Sequence, residues 1–240
     1  MARTETDRMK TMLAIFALWG LVSSLDAHSA ERKKIADVNI SALTTELQRN
    51  SNQDGVHLIW WIPREFWEVS LLQRPDLPPS AGEALLKMLG GYSMLAIAQG
   101  KISTLGEIEF YERDAIAKGA KLELFDGKTW TRIEPLDEIP DQLQTLIKVM
   151  SPMLEASLGK MGKNLQFFVL DDDIDGKRLI SPYDNSALRV SLTNKSGAAI
   201  SPLVLEMPVD ALFVPRTCPN GKPAHVSWVV CPWDGTKLPQ

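Results

Sequence analysis

Residues 56–62, VHLIWWI, are a continuous apolar run of strand length that ends at Pro63. A half-exposed strand would alternate apolar and polar residues, because successive side chains point to opposite faces of a sheet. An uninterrupted apolar run instead predicts a strand that is covered on both faces. This stretch therefore predicts a central strand, and the neighbouring elements must cover it.

The segments around this strand have helical spacing. A short helix is predicted before it, ending near Asn50, and an amphipathic turn or helix after it, at residues 64–72. Residues 81–89 form a further predicted helix. A capping box of Ser80 and Glu83 is expected to open it, and two glycines are expected to end it.

The second half of the chain predicts strands with one long helix between them. Apolar residues recur at helical spacing over residues 139–161, and Pro152 is expected to kink or split that helix. A two-residue hairpin loop is expected at Asp126-Gly127. Strands are predicted at residues 92–98, 107–111, 121–125, 128–133, 166–170, 177–181, 188–193 and 203–207. This order predicts the α+β class, with a mixed or antiparallel sheet built from hairpins and two or three packed helices.

The N-terminus has the order of a secretory signal peptide. Residues 11–25, TMLAIFALWGLVSSL, are an apolar run behind Arg3, Arg8 and Lys10, and small residues follow. We therefore expect residues 1–30 to direct export to the periplasm or the secreted space. The alternative is an uncleaved, outward-facing membrane anchor, although roughly 14 apolar residues are short of the ~20 that a spanning helix needs.

Composition predicts a globular protein after this segment. Hydrophobic residues make up 45% of the chain and charged residues 23%, which excludes disordered and collagen-like chains. A net charge of −4 without a basic cluster argues against nucleic acid as a partner. We expect one α+β domain, residues 31–215, a tail packed on it, residues 216–240, and no stable membrane span after signal cleavage.

The chain has two cysteines, and each begins a similar turn. Residues 218–223 are CPNGKP, and residues 231–238 are CPWDGTKL. Both segments resemble the knuckles of zinc ribbons, in which each C-P-x-C-G turn supplies two thiolates to one metal ion. Each turn here keeps its first cysteine and lacks the second, since Gly221 directly follows Asn220 and Asp234 stands at the other second-cysteine position. The resemblance implies a degenerate zinc ribbon.

Residues 218–238 leave three interpretations open for Cys218 and Cys231. Two facing knuckles hold their first cysteines close together, and an oxidising compartment lets the sulfurs form a structural disulfide. A zinc ion would be bound by these two thiolates, and Asp234 and His225 would be the candidates for the remaining ligands. A reactive thiol pair lacks the C-x-x-C spacing of disulfide oxidoreductases. We expect the disulfide, which stabilises the fold by roughly 3 kcal/mol in the chain-entropy model.

A run of aspartates, DDDIDG at residues 171–176, begins like a calcium-binding loop. Asp171, Asp173 and Asp175 follow the pattern D-x-D-x-D-G, in which alternate carboxylates converge on one ion. The pattern is incomplete, because the twelfth position is Pro182 instead of a bidentate glutamate. A solvated hairpin loop is therefore the expected structure, calcium is the alternative, and no other cofactor is expected.

Trp60, Trp61, Phe66 and Trp67 form the densest aromatic cluster in the sequence. In an exported protein such a cluster can stack on a sugar ring or contact a partner. Alternation along a strand sends Trp60 and Trp61 to opposite faces, so both are core residues if the strand is central. The sequence leaves two roles open for Trp60, Trp61 and Trp67. They pack in the core, or they contact a ligand or partner.

Two further groups of side chains have competing interpretations. Glu65 and Glu68 could act as an acid/base pair, but the i,i+4 spacing of Arg64 and Glu68 favours a solvated ion pair. Methionines at helical spacing either line an adaptable groove or, as we expect, pack in the core. These methionines are Met150, Met153 and Met161.

Motifs of the common enzyme classes are missing from the sequence. Only His57 and His225 follow residue 30, and there is no nucleophile elbow, phosphate-binding glycine loop or H-E-x-x-H. We therefore expect an exported, non-catalytic binding or accessory protein of the cell envelope or secreted space, with a protein or envelope component as its partner. The alternative is a carboxylate-dependent hydrolase acting on envelope or extracellular material.

The signal-like N-terminus predicts that the mature chain begins between about Ala27 and Lys33, because small residues there suit signal-peptide cleavage. N-terminal sequencing of the exported protein measures this start. A chain that begins at Met1 and stays in the membrane fraction would support the anchor instead.

Overall fold

Two antiparallel sheets organise the part of the chain that the computed structural model describes, residues 30–53 and 55–238. Residues 30–238 group into one compact unit. The predicted signal peptide, apart from its last residue, lies outside the described residues. The helices are α1 Ile40–Glu46, α2 Arg64–Leu72, α3 Pro79–Leu89, α4 Arg113–Gly119, α5 Asp141–Leu158 and α6 Lys160–Lys163, with 3₁₀ helices at Ile35–Asp37 and Asp210–Leu212.

The strands pair only with antiparallel neighbours. They are β1 Gln48–Ser51, β2 Val56–Ile62, β3 Tyr92–Ile102, β4 Ile108–Phe110, β5 Lys121–Phe125, β6 Trp130–Ile133, β7 Gln166–Asp171, β8 Asp173–Ile174, β9 Lys177–Arg178, β10 Ala187–Ser191, β11 Leu203–Glu206, β12 Arg216–Thr217 and β13 Pro223–Ala224. The first sheet has the order β1-β2-β3-β4, with β7 also on β3, and the second has the order β11-β10-β5-β6. Two small hairpins, β8-β9 and β12-β13, complete the fold.

Strand β2 occupies the predicted position, and six of its seven residues are buried. Its partner β3 is equally buried along most of its length and pairs with β7 through its first half and with β4 through its last residues. Helices α1 to α5 and the second sheet contribute side chains to the same hydrophobic core. The predicted α+β class, with antiparallel sheets built from hairpins, is confirmed.

The helix before β2 is shorter than predicted. It ends at Glu46, and residues 48–51 form β1 instead of a last helical turn. The backbone N–H of Trp61 donates to the carbonyl of Leu47 at 3.0 Å, which starts the pairing of β1 with β2. Pairing with an already buried strand outweighs the weak helical spacing of this segment.

The predicted capping box at Ser80 and the predicted split at Pro152 are wrong, whereas a kink at Pro152 stays a prediction. Helix α3 begins at Pro79, so Ser80 lies inside it and no side chain caps its N-terminus. Helix α5 continues through Pro152 and ends before Gly159, whose φ is +57°. Pro152 removes the donor to the Lys148 carbonyl, but both residues are exposed, so water can replace that hydrogen bond. Helix α4 was not predicted.

The predicted two-residue loop at Asp126-Gly127 is also wrong. Strands β5 and β6 are joined by four residues, 126–129, because the Asp126 carboxylate accepts the backbone N–H groups of Lys128 and Thr129 at 2.9 and 2.8 Å. An aspartate that binds its own turn in this way stabilises a longer loop. In the described part of the chain, no helix is long and apolar enough to span a membrane.

Helices α5 and α6 approach each other closely at Gly162. A Cβ atom there would lie 2.0 Å from the backbone oxygen of Leu154. We expect Gly162→Ala to lower the free energy of unfolding by about 1–3 kcal/mol, because the backbone must shift to admit the methyl group. Chemical denaturation measures this. Gly91→Ala, where the nearest atom lies 4.0 Å away, is the control and should change stability by less than about 0.5 kcal/mol.

Candidate functional site

The aromatic cluster lies inside the core. Trp60, Trp61 and Trp67 are 6%, 0% and 7% exposed. Phe66 packs edge-on against Trp60 and Trp67, with ring centroids 5.2 and 5.9 Å apart, and the Trp61 indole N–H donates to the Ser93 hydroxyl. This burial favours core packing over contact of the three indoles with a ligand or partner.

The aspartate run forms a short hairpin. Strands β8 and β9 pair around Asp175 and Gly176, whose φ angles of +54° and +73° suit a two-residue turn. Asp171, Asp173 and Asp175 are exposed. In the described ranges no group of three or more His, Cys, Asp or Glu is arranged to hold a metal ion. Calcium binding by these three carboxylates stays a prediction.

Asp172, which lies between the exposed aspartates, joins a buried ion cluster. Arg178 donates from Nη1 and Nη2 to the two oxygens of Glu65, at 2.6 and 3.0 Å, and from Nε to Asp172 Oδ2 at 3.1 Å. The other oxygen of Asp172 accepts the backbone N–H of Ile180 at 2.8 Å. Every oxygen of the two carboxylates therefore has a donor, and the cluster joins α2 to β9.

Burial and charge pairing act against each other in this ion cluster. Burial raises the pKa of Asp172 above its ordinary value, although the Ile180 N–H and the Arg178 guanidinium favour the carboxylate. Burial also disfavours the charged form of Arg178, but Glu65 and Asp172 outweigh it and raise the Arg178 pKa. Because both carboxylates share one guanidinium, the arrangement suits a structural link better than proton transfer.

The other charged residues of α2 form the predicted surface pair. Arg64 Nε lies 2.7 Å from Glu68 Oε1, as the i,i+4 spacing indicated. Glu65 and Glu68 therefore have separate cationic partners. This separation gives no support to an acid/base pair of these two glutamates.

The predicted methionine stripe is only partly buried. Met150 and Met161 are half-buried, whereas Met153 is 56% exposed and its neighbour Val149 is 64% exposed. The expected core packing therefore applies to one edge of the stripe, and the other edge faces solvent.

A cleft at the junction of the two sheets contains an arginine without an acidic partner. Arg113 is the first residue of α4, and its Nε donates to the Phe167 carbonyl at 3.4 Å. Its guanidinium carbon, Cζ, lies 5.1 Å from the centroid of the Phe168 ring. Among the residues that the structure describes, no carboxylate forms an ion pair with this guanidinium. The aromatic ring and the carbonyl hold the arginine in place but leave its charge unneutralised.

Arg113 lines two cavities of about 320 and 540 Å³, which together we name the Arg113 cleft. The smaller cavity has an apolar floor from both sheets, with Ile97 and Phe168 from the first and Leu122 from the second. Helix α5 borders the larger cavity. Asp137 also lines both cavities, so a guanidinium and a carboxylate stand above apolar surface. This composition is typical of a site for a small amphiphilic molecule.

The remaining charges of the Arg113 cleft contribute little net field. Arg132 forms an ion pair with Glu134, and Lys163 Nζ lies 3.8 Å from Glu155 Oε1. The larger cavity is also lined by one further acidic and one further basic residue, Glu138 and Lys148. Arg113 is therefore the cation best placed to bind an anionic group that enters the cleft.

The tail brings its two cysteines together. Cys218 and Cys231 are buried, and both are free thiols in the structure. Their side chains are hydrogen-bond neighbours. The His225 imidazole, considered as a zinc ligand, instead contacts the Ser227 hydroxyl through Nδ1 at 2.8 Å.

The chain matches no family model, and no curated protein or solved structure is significantly similar to it. Its own side chains therefore carry what can be said of its function. Sequence reasoning missed Arg113, which stands in an unremarkable stretch, ERDAIAKG, at residues 112–119. Its position between two sheets depends on pairings far away in the sequence, so no local pattern indicates it.

Removing the Arg178 guanidinium from the ion cluster should lower the free energy of unfolding. We expect Arg178→Met to destabilise the protein by about 3 kcal/mol, because Glu65 and Asp172 would stay buried without their cation. The loss should shrink as the pH falls. The pKa of the Asp172 carboxyl is raised in the folded protein. Protonation of this carboxyl therefore stabilises the folded state fully at pH values below its ordinary pKa, and this contribution is lost as the pH rises through the folded-state pKa.

Urea denaturation at several pH values measures this loss. Arg64→Met is the matched control, because it breaks a solvated ion pair on α2, the helix that carries Glu65, and should cost less than about 1 kcal/mol. Equal losses in the two variants would contradict the assigned role of the buried cluster.

Proposed function

We propose that this chain is an exported, non-catalytic binding protein of the cell envelope or secreted space, and that the Arg113 cleft is its ligand site. The observation that carries the proposal is the Arg113 guanidinium, fixed by Phe168 and the Phe167 carbonyl and free of any ion pair in the described residues. Export rests on the signal-like order of residues 1–30.

The walls of the cleft define the class of ligand. An apolar floor favours a hydrophobic body, and Arg113 favours a carboxylate on that body, because guanidinium and carboxylate form strong charge-assisted hydrogen bonds. Asp137 lines both cavities and offers a partner for an amine on the same ligand. A short apolar peptide or a hydrophobic amino acid combines these three groups. The volumes of the cavities lie in the range of small-ligand sites.

The hydrolase alternative receives less support. Its candidate carboxylates lie near the aromatic cluster, where Glu65 and Asp172 are both engaged by Arg178 and Glu68 by Arg64. A general acid or base needs an oxygen that can reach the substrate. These contacts favour a binding role over hydrolysis.

Titration calorimetry with leucyl-leucine, its N-acetyl form and its C-terminal amide tests the ligand class. We expect the native protein to bind the dipeptide most tightly. The amide should bind roughly tenfold to hundredfold more weakly, because it lacks the carboxylate that pairs with Arg113. The N-acetyl form should also bind more weakly than the free dipeptide, because it lacks the amine that pairs with Asp137.

The variant Arg113→Gln should show the same loss with the free dipeptide and no difference between the acid and the amide. Arg74→Gln, which removes an exposed arginine paired with Asp76 outside this cleft, is the control and should bind like the native protein. If the native protein binds none of the three peptides, or if Arg113→Gln binds normally, the proposed site is wrong. Release of free leucine would favour the hydrolase.

A further inference from the structure

The two Cys-Pro segments of the tail fold into closely similar turns. In the first, the Cys218 carbonyl accepts the N–H of Gly221, and the Cys218 N–H donates to the Lys222 carbonyl, both at 2.8 Å. In the second, the Cys231 carbonyl accepts the N–H of Gly235 at 2.9 Å. Each turn uses a glycine with positive φ, +79° and +72°. A cysteine therefore stands at the mouth of each turn, as in a pair of zinc knuckles.

The side chains at or near the missing cysteine positions bind the backbone of their own turns. Asn220 Oδ1 accepts the backbone N–H of Lys222 at 3.0 Å, and Asp234 Oδ1 accepts that of Thr236 at 2.9 Å. Both side chains fold back onto their own turns. The pKa of the Asp234 carboxyl is lowered by the Thr236 N–H and by the Cys231 side chain. In each knuckle a side chain at or beside the missing cysteine position thus satisfies a backbone N–H of the turn.

The thiols are enclosed by a small core of their own. Cys218 and Cys231 are 3% and 0% exposed and pack with Ala224 and Leu238, separate from the main hydrophobic core. Trp228 covers this cluster from outside. So few apolar groups provide little hydrophobic stabilisation, and small exported modules of this kind commonly depend on a cross-link.

We propose that Cys218 and Cys231 form a disulfide that takes the place of the metal ion of a zinc ribbon. The bond forms by thiol–disulfide exchange with a disulfide oxidant, either a small-molecule disulfide or that of an oxidoreductase. The two thiols lose two protons and two electrons as their sulfurs bond, and the oxidant is reduced to two thiols. This inference does not depend on the Arg113 cleft.

The environment of the pair indicates a structural bond and not a catalytic one. Burial, followed by the neighbouring Cys231, raises the pKa of the Cys218 thiol to about 11. A thiol with that pKa is almost wholly protonated at neutral pH, whereas disulfide-exchange enzymes use cysteines with lowered pKa values. Once formed in this enclosed site, the bond is therefore expected to persist.

Peptide mapping of the full chain, alkylated before and after reduction, tests the linkage. We expect no alkylation of Cys218 and Cys231 in protein recovered from an oxidising compartment, and alkylation of both after reduction. The linked peptides should be lighter than the reduced pair by two hydrogen atoms. Free thiols in that protein, or one zinc ion per chain in elemental analysis, would overturn the proposal.

Amide hydrogen exchange tests what the bond does. Reduction should speed exchange over residues 218–238 roughly a hundredfold, as expected for loss of a cross-link across a loop of this size, and should leave β2 and β3 unchanged. Cys231→Ser should show the fast exchange with or without reductant. Unchanged exchange of the tail on reduction would contradict a stapling role. If the variant fails to fold, the mapping of the native chain still decides the linkage.

Discussion

Burial of β2 and β3 on both faces is the constraint on which the rest of the fold depends. The two strands pair along seven residues, from Val56 with Gly100 to Ile62 with Met94, and almost every side chain in that pairing is buried. Each large apolar side chain removed from water there contributes about 1.5–3 kcal/mol. A strand pair buried in this way needs cover on two sides. Five helices and the second sheet accordingly add side chains to the one core that contains β2 and β3.

Two arginines near this core have contrasting electrostatic environments. Arg178 meets two buried carboxylates and becomes an internal link between α2 and the β8-β9 hairpin. Arg113 is held by an aromatic ring and a carbonyl, which position the guanidinium without neutralising it. Both guanidinium groups are partly buried, but that of Arg178 is already paired with two carboxylates of the protein. The Arg113 guanidinium has no such partner among the described residues and can still pair with an anionic group, so the Arg113 cleft is the better candidate.

The predictable parts of this fold are those in which local pattern and tertiary contact agree. The apolar run of residues 56–62 and the amphipathic pattern of residues 64–72 predicted the observed bounds of β2 and α2, because burial and spacing favour the same structure there. Two of the Asp-Gly sequences, at residues 126–127 and 175–176, show the limit. At Asp175-Gly176 both residues adopt positive φ and form a two-residue turn, whereas the Asp126 side chain binds its own backbone and lengthens the loop. The Arg113 cleft could not be predicted, since both sheets must form before its walls meet.

The tail shows how a small module can be specified without a bound metal ion. Its turns are specified by backbone hydrogen bonds and by two glycines with positive φ, none of which needs a metal. It is tied to the domain by Val226, which lies in the main core and whose N–H donates to Asp210 Oδ1 at 2.7 Å. That attachment fixes one end of the loop between the cysteines but does not close the loop. A bond between Cys218 and Cys231 would close it, which is the role that metal ligation has in a zinc ribbon.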